Sequence, residues 1–99
     1  MKHPSSLKER RKEAGVWLKE LREKAGLTQM DLAARLGFKY YAFISQVETG
    51  FTRLPPQKVE AWANAVGADP PLFAKNLLSF YEPELHRVLY EHQAADPVR

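Results

Sequence analysis

The side chains of this chain that could do chemistry are mainly hydrogen-bond donors, and most of them fall between positions 39 and 53. Gln46 offers a donor and an acceptor on one amide, the pairing that bidentate readout of an adenine edge requires. Ser45 beside it has a hydroxyl that can donate to a phosphate or a base edge. Arg53 carries the planar fork that meets a phosphate in two parallel bonds, with Thr52 next to it. Lys39 is a point charge suited to a phosphate or a guanine. Tyr40 and Tyr41 add phenols that can donate to a phosphate or press a ring on a thymine methyl. What is missing narrows the field as well. The sequence shows no Ser-His-Asp set, no glycine-rich phosphate loop and no paired carboxylates at a plausible cleft. His3, His86 and His92 lack metal-ligand spacing; Glu82 and His86 stand four apart beside Leu85, Val88 and Leu89, which is the pattern of an amphipathic helix. With no cysteine, disulfides and thiolate zinc sites are excluded. The chain reads as non-enzymatic, with no cofactor and no metal.

Donors need rigid elements to aim them. Ninety-nine residues with 44% apolar content are enough for one small domain. The stretch "GFKYYAFISQ" (37–46) holds four aromatics and by composition suits a strand, a core helix or an exposed contact surface. Spacing decides. Tyr40, Phe43, Ile44 and Val47 fit i, i+3, i+4, i+7, and the intervening polar residues do not alternate, so the stretch predicts a helix of eight to ten residues ended by Gly50. Before it, Thr28 and Asp31 resemble a capping box, and Leu32, Ala33 and Leu36 form the inward side of a two-turn helix closed by Gly37. Upstream, Ala14, Leu18, Leu21 and Ala25 make one helical stripe ending at Gly26; this helix either runs from Ser6 or starts near Ala14, because Gly15 weakens its interior. Downstream, "FTRLPP" is a loop. A helix from Pro56 to about Val66 carries Val59, Trp62, Ala63 and Val66. Asp69-Pro70 caps a further helix with Leu72, Phe73, Leu77 and Leu78. Pro83 restarts the chain in a helix carrying Leu85, Val88 and Leu89, and the tail from Gln93 reads as disordered. The expected class is all-α, with five or six short helices.

Two short helices meeting at Gly37, with Ala33 four residues before it, are what a helix-turn-helix needs: a small residue for close approach and a glycine for the turn. Charge points the same way. Residues 1–25 carry eight Lys/Arg against four Glu, whereas the last 24 residues carry two Arg against four acids. A basic front suggests a polyanionic partner, and Lys2, Lys8, Arg10, Arg11 and Lys12 could reach along a nucleic-acid backbone as an arm; simple solubilisation is the alternative. No apolar run approaches a membrane span and no secretory leader is visible, so the expected location is the cytoplasm.

The run "LREKAGLTQMDLAARLG…ISQVETG" resembles the lambda-repressor-like (XRE-type) helix-turn-helix domain of phage repressors and many bacterial regulators, over roughly residues 14–80. The resemblance implies a five-helix DNA-binding domain that acts as a dimer on a pseudo-palindromic operator, with the third helix as recognition helix. It places Gln29 near the DNA backbone, where its amide can donate to a phosphate. One departure stands out: Ser45 lies eight residues after Gly37, where the common pattern has seven. The expected DNA-contacting set is Thr28, Gln29, Lys39, Tyr40, Tyr41, Ser45, Gln46, Thr52 and Arg53. Of the two tyrosines, Tyr41 is the one expected to face the groove. Glu48 is expected to order the following loop or pair with a base-side arginine rather than touch DNA. Phe38, Phe43, Ile44 and Val47 are expected in the core.

The expected organisation is therefore residues 1–13 as a basic arm or helix extension, 14–80 as the helix-turn-helix domain, and 81–99 as a C-terminal helix and tail that could supply a dimer surface or fold back on the domain. A second function class uses the same fold: an antitoxin-type module that neutralises a toxin protein and autoregulates its own promoter. An RNA-binding reading is weaker, because the aromatics lie on a helix and not on an open stacking sheet.

Overall fold

The computed structural model describes residues 6–91. Among these the chain is helical and contains no strand. In order come α1 (Leu7–Lys24), α2 (Gln29–Arg35), α3 (Ala42–Glu48), a 3₁₀ turn (Pro56–Lys58) leading into α4 (Val59–Ala65), α5 (Pro70–Tyr81) and α6 (Pro83–His86), whose last turn widens into a π-helical turn at Arg87–Glu91. Residues 1–5 of the expected basic arm or helix extension (1–13) and the tail from Gln93 lie outside the described residues.

Local chemistry explains most helix ends. Ser6 and Glu9 form a reciprocal capping box that starts α1 at Leu7, so the helix runs unbroken through Gly15. Lys8, Arg10, Arg11 and Lys12 therefore belong to a helix and not to an arm. Arg10 is committed further: its guanidinium donates to the Ser79 carbonyl at the end of α5 and lies over the Phe80 ring. Thr28 and Asp31 form the expected capping box on α2, and Asp69 caps α5 with Pro70 in its first turn. The Thr28 hydrogen bonds hold the Asp31 carboxyl below its ordinary pKa.

The core is built from Ala14 and Leu18 of α1, Leu32 and Ala33 of α2, Ile44 and Val47 of α3, Trp62 and Ala63 of α4, and Phe73, Leu77 and Tyr81 of α5, with Leu27, Leu36 and Leu54 from the connections. Three expected stripes shift. Ala25 is exposed, and the inward face of α1 is Ala14, Gly15, Leu18 and Arg22. Leu72 is exposed, and α5 turns Phe73, Leu77 and Tyr81 inward. Leu85, Val88, Leu89 and Tyr90 are each about half exposed, although the segment lies beside α5, where Lys75 Nζ sits over the Tyr90 ring.

Two glycines set the distance between α1 and α3. A Cβ placed on Gly15 would overlap the Glu48 carbonyl oxygen and lie 2.6 Å from its carbon. A Cβ on Gly50 would lie 2.8 Å from the backbone of Lys12, at a φ of +82° that side-chain-bearing residues rarely adopt. Gly15 is thus present for contact, and its helix-weakening cost is the secondary effect.

Tyr81 ties the loop after α3 to α5. Its phenol oxygen accepts the Leu54 N–H at 3.0 Å. Burial pushes the phenol above its ordinary value of 10.0. The folded state thus keeps a proton that the unfolded chain loses, so this contribution is complete below pH 10 and is lost as pH rises through the folded value. The melting temperature should fall between pH 9 and pH 11 more steeply for the wild type than for Tyr81→Phe. Parallel curves for the two proteins would contradict this.

Candidate nucleic-acid interface

The turn between α2 and α3 is fixed from both sides. Leu36 caps α2, Gly37 takes a φ of +77°, and the N–H groups of Gly37 and Phe38 donate to the carbonyls of Ala34 and Ala33 at 3.1 and 2.8 Å. This is a Schellman closure. Phe38 then folds back edge-on against Phe43, with ring centroids 5.2 Å apart, and Lys58 lies over the Phe38 ring. Both phenylalanines are half-buried against the core, as expected. The closure also delays the next helix. Tyr40 fits the helical spacing of α3, but it precedes the helix and is 68% exposed. Tyr41 is the N-cap residue, 51% exposed, and α3 has seven residues. The connection from Leu36 to Tyr41 absorbs the additional residue after Gly37.

The two faces of α3 have opposite chemistry. Ile44, Val47 and Glu48 point inward. Ala42, Gln46 and Thr49 are exposed and Ser45 is half-buried, at i, i+3, i+4 and i+7 along one outward stripe. Glu48 does not order the following loop. It is 6% exposed and is met by Arg22 of α1, also 6% exposed, in a two-pronged pair: Nε to Oε2 at 2.7 Å and Nη2 to Oε1 at 3.0 Å. Arg22 Nη1 donates to the Leu27 carbonyl at 2.7 Å. The hydrogen bond to Glu48 raises the Arg22 pKa, outweighing the opposite pull of burial. Gln29 joins the same group, its Nε2 donating to Glu48 Oε1 at 3.0 Å. One buried carboxylate thereby links α1, α2 and α3. Arg22 and Glu48 were not among the expected site residues, although each sits on the apolar face of its own helix, where a charge needs a buried partner.

The expected site residues fall into two groups. Thr28, Gln29 and Tyr41 line one open cleft with Met30, and Lys39, Tyr40 and Tyr41 line an adjoining one, again with Met30. Together with the outward stripe of Ser45 and Gln46 they surround the N-terminal half of α3. Thr52 stays close to the far end, since its N–H donates to the Gln46 carbonyl at 3.2 Å. Arg53 turns away toward α5. Its Nη1 donates to Glu82 Oε2 at 3.0 Å, and its guanidinium lies 4.6 Å from the centre of the Tyr81 ring.

No helix among the described residues is long and apolar enough to cross a membrane. No curated protein matches the chain. A family model described as a helix-turn-helix domain matches residues 13–75, which is more than half of the chain and runs from Glu13 within α1 into the first half of α5. With two short helices, a glycine-closed turn between them and an outward polar stripe on the second, the chain belongs to the helix-turn-helix domain family.

Proposed function

We propose that the protein is a sequence-specific double-stranded DNA-binding transcriptional regulator of the lambda-repressor-like type, a repressor that binds a pseudo-palindromic operator as a homodimer in the cytoplasm. The observation that carries this reading is electrostatic. The one acid of α3, Glu48, is turned inward and neutralised by Arg22, so the outward face of α3 presents Ala42, Ser45, Gln46 and Thr49 and no negative charge to repel phosphates. On this reading α3 enters the major groove, Gln46 and Ser45 meet base edges, and Tyr41 faces the groove wall. Thr28, Gln29, Lys39, Tyr40, Thr52 and Arg53 position the helix on phosphates. An amide nitrogen carries two hydrogens, so Gln29 keeps one for a phosphate while the other binds Glu48. Residues 14–80 are the DNA-binding unit, 1–13 a basic extension and 81–99 a C-terminal segment outside it.

Selection of bound duplexes from a random pool would supply the site. Gln46→Ala should then relax sequence preference, costing about 1–3 kcal/mol on the selected site only, while Arg53→Ala should weaken all duplexes alike. Unchanged binding of the selected site by both variants would remove the assigned surface.

A different observation favours a second reading. Met30, Tyr40, Tyr41 and Phe51 are exposed large apolar side chains flanking α2 and α3, with Phe51 at 77%. Such side chains suit a protein surface better than a phosphate. This favours the antitoxin-type module that holds a toxin protein. A stoichiometric complex with that protein, alongside weak operator binding, would decide for it.

A further inference from the structure

Arg53 is the cation of the loop after α3 that the DNA reading assigns to the phosphate backbone, yet it is already occupied. Glu82, at the junction of α5 and α6, accepts its Nη1 at 3.0 Å, and the Tyr81 ring lies beneath the guanidinium. A carboxylate presents two anionic oxygens to an arginine fork, as a phosphate does. We propose that Glu82 is an intramolecular competitor for the phosphate that Arg53 would clamp, so that the α5–α6 junction sets DNA affinity without touching DNA. The inference rests on the DNA-binding reading above.

Three features make the contact suitable for competition. Both side chains are close to half exposed, so the pair is weak and a phosphate can displace it. The Tyr81 ring does not compete, and its phenol oxygen is engaged with the Leu54 N–H, so it holds the guanidinium near the loop when Glu82 is lost. Finally, Glu82 is both the last cap of α5 and the residue before Pro83. A movement of α6 would therefore move the carboxylate. Glu82 acts here as a positioning residue, through Arg53.

The test uses the full chain with Glu82→Gln, Arg53→Ala and the double variant, and measures affinity for a selected and an unrelated duplex at several salt concentrations. Glu82→Gln should bind both duplexes roughly two- to fivefold more tightly at low salt, the range an exposed ion pair commands. The slope of log affinity against log salt should steepen by less than the roughly 0.9 of a whole phosphate contact, because salt screens the Glu82–Arg53 pair that opposes binding in the wild type and the gain shrinks as salt rises. A merely structural role for Glu82 would not steepen that slope. The gain should vanish when Arg53 is alanine. Equal or weaker binding by Glu82→Gln, or a gain that persists without Arg53, overturns the inference while leaving the DNA reading intact. Failure of the wild type to bind any duplex overturns both.

Discussion

Replacing Glu48 with leucine should cost about 3–5 kcal/mol of folding stability, the range found when one partner of a buried ion pair is removed. The leucine itself would pack acceptably. The penalty comes from Arg22, which stays 6% exposed with a full charge and no counter-ion. A domain of this size has only about 5–15 kcal/mol in total, so the variant should lie near the edge of folding. A urea titration with an unchanged slope and a much lower midpoint would show it. Removing both charges is the informative control. Arg22→Met with Glu48→Leu should recover most of the loss, because two apolar groups of similar volume replace the desolvated pair. Recovery should stop short of complete, since the Leu27 carbonyl loses the Arg22 donor and Gln29 loses its acceptor. If the single variant is as stable as the wild type, the pair is not the buried unit described above. The double variant also separates folding from binding. Its stability returns while Gln29 is left without its anchor, so affinity for duplexes should remain below that of the wild type.

What the sequence made legible was local. The Thr28–Asp31 box, the Asp69-Pro70 start and the glycine after α2 are each set by residues within three or four positions, and each stands as expected. Ile44 and Val47 were readable as core because a seven-residue helix with two adjacent turns of apolar side chains has one side on which to bury them. That also made the outward position of Gln46 readable by complement. The misplaced residues share a different property. Tyr40 satisfied the helical spacing, but the Phe38–Phe43 contact and the Schellman closure kept the chain in the turn until Tyr41. Glu48 was readable as needing the loop or an arginine, but Arg22 was not readable as its partner because the two lie 26 residues apart. Arg53 looked free because Glu82 is 29 residues further on. Pairings of that kind depend on how α1, α3 and α5 cross, and crossing geometry is written in few residues.

Gly15→Ala is the substitution that probes the crossing, because two effects of opposite sign meet there. Within an isolated helix, alanine in place of glycine gains about 1 kcal/mol, and α1 is an 18-residue helix with Gly15 in its middle. Against this stands the added methyl, which would overlap the Glu48 carbonyl oxygen and lie 3.0 Å from that of Val47. Both neighbours are backbone, so no side-chain rotation relieves the contact. Overpacking a well-filled interior costs typically 1–3 kcal/mol and more where the backbone must move. The clash should win, leaving the variant about 2 kcal/mol less stable and lowering the melting temperature by roughly 4–8 °C for each kcal/mol. Relief has one direction available, which is separation of α1 from the end of α3. Gly50 lies against the Lys12 backbone at a neighbouring point, so the same separation opens that contact as well. Moving α1 outward draws Arg22 from Glu48, so the variant should combine lower stability with weaker binding of duplexes. Lys19→Ala, an exposed change on the same helix, serves as the reference and should leave both properties near the wild type. A rise in melting temperature for Gly15→Ala would mean that helix propensity wins and that α1 and α3 are not in backbone contact.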